Sequence, residues 1–321
     1  MPEHNFPVRQ FSHSKRENLT GSDLVRKCVA YSFCLCEVFY TMMILAAKPL
    51  LDEMKLDLKK RTNLFRQKSG RSPHLAVVLV GNDPASVIYT RNKGKNAIEV
   101  GMEHQSLTFP DSASPAEVKS EIDRLNSDPH VDGILIQRPL PKQFNEEEVL
   151  TWIAPEKDVD AFHPTNVGKL VLGLPCFHPC TPAGIMALLK FYKIEVAGKI
   201  ACVIGRSATV GKPMAALLLQ ANATVIQAHS KTKDLEKLSS QADILVAAAG
   251  RPGLIQAQHI KRGAVVIDVG IHRTPEGLVG DVLSSGAAEK ASALSPVPGG
   301  VGPMTIMMLL SNTVMSAEAR N

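Results

Sequence analysis

From about residue 44 onward the chain alternates short apolar runs with amphipathic stretches. LAVVLVG (75–81) is a valine-rich run closed by glycine, the pattern of a strand buried on both faces. Asn82, Asp83 and Pro84 then supply turn and helix-start chemistry, so the spacing predicts a helix carrying Ser86, Tyr89 and Lys93 on one face. HQSLTF (104–109) and VDGILIQ (131–137) are the next strand candidates, with a helical period at 114–127 between them. The prolines of RPLP end the last run and leave Gln137 at its tip. A second set starts at KIACVIG (199–205), followed by a helical stretch, Val210 to Gln220. Further strands are predicted at TVIQAH (224–229), DILVAAAG (243–250) and GAVVIDVGI (263–271). This alternation predicts two successive α/β units, the second a Rossmann-type parallel sheet.

The first part of the chain breaks the pattern. Residues 1–28 are polar without a period, and VAYSFCLCEVFYTMMILAA (29–47) is apolar but interrupted by Glu37. Arg26 and Lys27 precede it as a cytoplasmic flank would, yet a carboxylate in lipid is costly and weighs against a membrane anchor. Glu3, Glu17 and Asp23 weigh against a transit peptide. Residues 1–43 therefore read as a dispensable extension, with Met42 and Met43 marking where the functional chain begins.

At 321 residues and 45% hydrophobic content the chain can build two cores. Its net charge of +5 is dispersed, without a run of five or six like charges, which argues against nucleic acid and suits anionic small molecules. Six cysteines without a repeating spacing suggest a reducing compartment, hence the cytoplasm; an organelle is the alternative if the extension is a transit peptide. Cys176, His178 and Cys180 invite a zinc reading, but four ligands are needed and no second cluster accompanies them. No metal is expected.

The candidate chemistry gathers at strand ends. The Ser86–Tyr89–Lys93 helix starts at the carboxyl end of strand 75–81, and Gln137 ends the neighbouring strand, so both reach the edge where open α/β sheets bind ligands. Spacing alone leaves open a reaction centre or a plain polar helix face. PEKDVDAFHP (155–164) adds Asp158 and Asp160, both explicable as turn or cap residues. In GRSATVGKP the glycines are Gly205 and Gly211, with Ser207 where the usual fingerprint has its second glycine; strand, turn and helix N-terminus suit a phosphate. After the next strand come His229, Ser230 and Lys231 rather than an acid, which with Arg206 favours the 2′-phosphate of NADP over NAD. In SPVPGGVGPMTIMMLL (295–310), Pro298, Gly299, Gly300 and Gly302 form a stiff loop that lets backbone approach a flat ligand. Met304, Met307 and Met308 read as helix core.

GNDPASVIYTRNKGK, DGILIQRPLP, PEKDVDAFHPTNVGKL, PCTPAGI, GRSATVGKPMA, HSKT, AAAGRP, VIDVGIHR, GDV and PVPGGVGPMT, in this order, resemble the bifunctional methylenetetrahydrofolate dehydrogenase/methenyltetrahydrofolate cyclohydrolase family over roughly residues 44–318. The resemblance implies two α/β domains flanking a cleft: a folate-binding catalytic domain over 44–182, joined by the C-terminal helix 303–321, and an NADP-binding domain over 183–302. It implies NADP-dependent oxidation of 5,10-methylenetetrahydrofolate to 5,10-methenyltetrahydrofolate, and hydrolysis of that product to 10-formyltetrahydrofolate. One-carbon metabolism feeding purine biosynthesis and a homodimer are implied too. By resemblance Lys93 is the catalytic group, Tyr89 stacks on and orients the folate, and Gln137 holds the lysine and the attacking water. Asp160 would recognise the pterin, with Ser86 and the Pro298–Gly300 loop also on the substrate side. Arg206 and Ser230 would contact the 2′-phosphate, Gly205, Ser207, Val210, Gly211 and His229 would line the cofactor turn, and Ile271 would pass beside the nicotinamide.

Three residues depart from the family pattern: Arg138 where an apolar residue is usual, Ala161 for glycine, and Ala47 for glycine in the first helix. The first places an extra cation near the folate and leaves a dehydrogenase with weak hydrolysis as one alternative; a non-catalytic NADP- or folate-binding relative is another. A short-chain dehydrogenase also uses Ser, Tyr and Lys, but its dyad follows the dinucleotide turn, whereas Lys93 precedes Gly205 by a whole domain.

Overall fold

The computed structural model describes residues 42–275 and 277–320, so the readings made for residues 1–41 lie outside the described residues. The chain enters through a two-residue strand, β1 (Met43–Ile44), and a long helix, α1 (Lys48–Ser69). Strand and helix then alternate through β2 (His74–Val80), α2 (Pro84–Glu99), β3 (Glu103–Phe109), α3 (Pro115–Ser127) and β4 (Gly133–Gln137). These strands form a parallel sheet in the order β3-β2-β4. The central strand is an unbroken apolar run because both its faces are covered. Asp83 starts α2 by accepting the Ser86 N–H at 2.8 Å, with Pro84 in the first turn, and Ser114 and Glu117 form a capping box on α3. The sequence pattern did not announce α4 (Glu146–Val149), α5 (Pro164–Leu172) and α6 (Cys180–Phe191). Most of α6 is apolar and much of it is buried, so its polar face is too narrow to give a clear period.

The second sheet starts with β5 (Ile200–Ile204), α7 (Gly211–Gln220), β6 (Thr224–Ala228), α8 (Leu235–Ser239), β7 (Ile244–Ala247) and β8 (Val265–Asp268). A hairpin of β9 (His272–Thr274) and β10 (Gly277–Val279) precedes α9 (Ser284–Lys290), β11 (Ala293–Leu294) and the final helix α10 (Val301–Ala319). All six strands of the large sheet are parallel, in the order β1-β11-β8-β7-β5-β6. Strands β7 and β8 stop short of the apolar runs that predicted them: after Ala247 and Asp268 the backbone leaves the sheet and becomes its ligand-facing edge. Met43, which the sequence boundary left in the extension, pairs with Ala293 at the far edge of this sheet.

The last helix returns to the small sheet. Met304, Met307, Leu310 and Val314 are buried in α10, as the core reading of the methionines required, while Met308 is partly buried. At its end Arg320 reaches Asp132, a fully buried carboxylate that also takes two bonds from Arg71, at 2.6 and 2.9 Å. Buried Lys157 donates to the carbonyls of Leu125, Asn126 and Asp128 and so closes the C-terminal end of α3. Among the described residues no helix is long and apolar enough to cross a membrane, and no cluster of three His, Cys, Asp or Glu side chains could hold a metal ion.

Candidate active site

Helix α2 carries Lys93 inward at the tip of β4, and the Lys93 Nζ donates to Gln137 Oε1 at 2.9 Å. The amide is locked in that orientation because its Nε2 donates to the Arg138 carbonyl at 2.7 Å. Lys93 is only 8% exposed. Burial pulls its pKa below the ordinary lysine value, opposed by the charges of Asp160 and Cys180 and assisted by Arg138. Lys93, Gln137 and Asp160 line a cavity of ≈ 210 Å³ together with Val210 and Thr209 from the glycine turn of the other sheet. Residues of the small-sheet region and of the second sheet's glycine turn therefore meet in one space.

Tyr89, one turn earlier on α2, opens onto an adjoining cavity of ≈ 330 Å³ that Ile271, Pro298, Gly299 and Gly300 also line. Tyr89 is 38% exposed, so its ring face is available to a ligand. Ser86 does not share this position. It is buried, with its hydroxyl toward the Arg138 carbonyl, and lines neither cavity. Asp158 accepts the His163 N–H at 2.7 Å and the Asn166 amide at 3.0 Å, which makes it a loop anchor, and burial raises its pKa. Ala161 sits at φ +62, a left-handed conformation where a Cβ is strained, which is the physical reason glycine suits that place. Arg138 lines the lysine cavity with its guanidinium over the Phe162 ring, 4.7 Å from the centroid.

The cofactor turn is built by close approach. A Cβ on Gly205, at φ +136, would collide with the Ala248 carbonyl, and one on Gly211 would collide with the carbonyl of Gly205. Ser207 Oγ accepts the N–H groups of Val210 and Gly211 at 3.2 and 3.3 Å, doing at this helix start what a capping side chain does. Arg206 is exposed beside it. Because Ile204 pairs with Ala228, the residues that follow, Gly205 and His229, emerge side by side, with exposed Ser230 next. His229 Nδ1 accepts from Lys231 N–H at 3.2 Å and so shapes that turn. A glycine cradle at a ten-residue helix, with hydroxyl and cationic groups rather than an acid at the next strand end, fits a dinucleotide bearing a 2′-phosphate.

Sequence reasoning missed several lining residues. Thr209, Cys180, Thr181 and Thr305 border the lysine cavity, and the hydroxyls of Thr181 and Thr305 bond each other at 2.9 Å. Burial pushes the Cys180 thiol well above its ordinary pKa, with Asp160 adding to the effect. Thr209 lay within the quoted glycine turn, and Cys180 and Thr181 within PCTPAGI; only a knowledge of which faces meet would have singled them out.

Comparison with known proteins bears on the fold and the family. Residues 45–160 match the catalytic domain of tetrahydrofolate dehydrogenase/cyclohydrolase, and residues 179–321 match its NAD(P)-binding domain. The bifunctional protein FolD of Dichelobacter nodosus is 52% identical over 281 residues, covering 86% of this chain and 97% of that protein. The crystal structure of the bifunctional enzyme FolD from Campylobacter jejuni superposes with a TM-score of 0.86 at 46% identity, covering 88% of this chain and all of that one. That of the Trypanosoma brucei enzyme, complexed with NADP cofactor and inhibitor, gives a TM-score of 0.83 at 35% identity, over 87% of this chain and 98% of that one. The chain belongs to the tetrahydrofolate dehydrogenase/cyclohydrolase family.

Proposed function

We propose that the cleft performs two successive reactions on one folate: NADP-dependent oxidation of 5,10-methylenetetrahydrofolate, then hydrolysis of 5,10-methenyltetrahydrofolate to 10-formyltetrahydrofolate. The observation that carries this reading is the buried Lys93–Gln137 pair in a cavity that it shares with Asp160 and the cofactor turn. NADP, when bound, supplies the acceptor for a hydride from the methylene carbon of the folate. The oxidised folate carries a positive charge shared between that carbon and its ring nitrogens, so water can add to it. Lys93 moves the protons of this addition. Its depressed pKa leaves more of the neutral amine than an exposed lysine would have, and the neutral amine can take a proton from the attacking water. Gln137 fixes the ammonium or amine through its Oε1 and keeps water within reach.

Tyr89 supports the folate from the adjoining cavity by stacking, opposite the flat backbone of Pro298–Gly300. Asp160 faces the lysine cavity and suits the N–H groups of a pterin, with which a carboxylate forms charge-assisted bonds. Arg206 and Ser230 take the 2′-phosphate, and Gly205, Ser207, Val210, Gly211 and His229 border the pyrophosphate and ribose. Ile271 lies at the nicotinamide. Ser86 acts on the substrate only through the loop that it braces at Arg138. We assign residues 44–182 with the C-terminal helix to the folate domain and 183–302 to the NADP domain, and we place a homodimer in the cytoplasm, supplying formyl groups of the kind purine synthesis uses.

A spectrophotometric assay tests the reading. Purified protein given methylenetetrahydrofolate should form the methenyl absorbance with NADP and much less with NAD, and should then accelerate its decay. Formation without accelerated decay would leave a dehydrogenase alone, and no turnover with either cofactor would refute the assignment.

A further inference from the structure

Two buried carboxylates hold the edge of the large sheet together: Asp268, which borders the 330 Å³ cavity, and Asp281, which lines neither cavity. Asp281 is fully buried; its Oδ2 accepts the N–H groups of Ala249 and Gly250 at 2.6 and 2.9 Å, and its Oδ1 lies 2.7 Å from the His272 Nε2. Asp268, 4% exposed, accepts Gly270 N–H at 3.0 Å, Asp281 N–H at 2.9 Å and Val282 N–H at 3.0 Å. The two side chains thus pin the segments that follow β7, β8 and β10 to one another. Glycines make this possible: a Cβ on Gly270 would run into Asp281, and one on Gly280 into Asp268. The pinned backbone of Val269, Gly270 and Ile271 is the wall of the 330 Å³ cavity facing Tyr89.

Such an arrangement is costly as mere packing. Two carboxylates are desolvated side by side, with His272 as the partner of Asp281, and burial, with the neighbouring Asp281 charge adding, pushes Asp268 up to about 6. Apolar side chains of similar size would fill the space at lower cost. What they could not do is accept five backbone N–H groups and fix three turns at once.

We infer that Asp281, oriented by His272 and coupled to Asp268, is the positioning residue for the hydride-accepting end of the cofactor, serving the oxidation and not the hydrolysis. The inference rests on the reading of Ile271 as the nicotinamide wall. Asp281 reaches Lys93 and Gln137 by no bond of its own, so the two activities should separate when it is changed.

The test compares the full-length protein with Asp281→Asn, whose amide keeps the size of the carboxylate but loses its charge and half its accepting capacity. Three quantities are read: dehydrogenase kcat, cofactor-free hydrolysis of methenyltetrahydrofolate, and the fluorescence of bound NADPH, which reports the seating of the nicotinamide without turnover. Dehydrogenase kcat should fall by about tenfold or more, as expected when buried amides lose a charged acceptor. Hydrolysis should stay within about twofold, and NADPH should bind with nearly the same dissociation constant but without its fluorescence enhancement, since the phosphates hold it elsewhere. His272→Gln, which leaves both carboxylates in place, should show the same split more weakly, and it carries the test if Asp281→Asn does not fold. Equal losses in both activities, or unchanged kcat and fluorescence in a folded variant, would overturn the inference alone. No NADP-dependent turnover in the unsubstituted protein would overturn the parent reading and this inference with it.

Discussion

Lys93 is a residue whose chemistry is set by its neighbours rather than by its type. Burial favours the neutral amine, Asp160 and Cys180 favour the ammonium, and Arg138 opposes the ammonium again. The hydrolysis rate should therefore rise with pH through the depressed lysine pKa and level off below the range of a free lysine. Arg138→Ala removes a cation that repels the ammonium, so the lysine pKa should rise and this limb should move to higher pH; a shift to lower pH, or none, would show that Arg138 does not act on Lys93. Arg206→Ala should raise the KM for NADP by about tenfold or more while altering that for NAD little, because only the 2′-phosphate engages a guanidinium. Equal losses with both cofactors would remove that assignment. The place of Lys93 was legible from helix spacing and that of Arg206 from the glycine turn, but the role of Lys93 and the departure at Arg138 came from the family resemblance. Asp268 and Asp281 were not legible, since an acid that ends β8 and another thirteen positions on share no period and become neighbours only through the hairpin between them.

At the level of elements, the apolar runs identified most strands of both sheets, because a buried parallel strand has to be apolar on both faces. The two-residue strands β1 and β11 were invisible: their pairing joins residues 43–44 to 293–294, and so short a run has no pattern of its own. Ion pairs that tie elements end to end are equally silent in sequence. Asp132 joins the segment before β2 to the last residues after α10 through Arg71 and Arg320. Asp132→Ala strands both guanidiniums, each about a quarter exposed or less, and should cost roughly 3 kcal/mol or more of unfolding free energy in urea titration, as expected for a broken buried pair. A loss below about 1 kcal/mol would mean that solvent screens the pair as it does a surface bridge.

For the whole molecule, the described chain from Met42 supplies every strand of both sheets, and its first residues matter at the opposite end of the sequence. Met43 N–H donates to the Ser292 carbonyl, Leu45 N–H to that of Leu294, and Ala47 N–H to that of Gly299, inside the loop that lines the Tyr89 cavity. A chain beginning at Met42 should keep both activities within about twofold, whereas one beginning at Lys48 should lose stability and folate affinity together, because Leu45 and the sheet edge go with it. Activity surviving the longer deletion would show that the loop needs no such support. The substitution most direct for the whole account is Lys93→Met, which keeps the length and apolar stem of the side chain and removes only its proton chemistry. Measured with methenyltetrahydrofolate and with NADP in parallel, hydrolysis should fall by about a hundredfold or more while NADP binds as before. Hydrolysis at the unsubstituted rate would take Lys93 out of the mechanism.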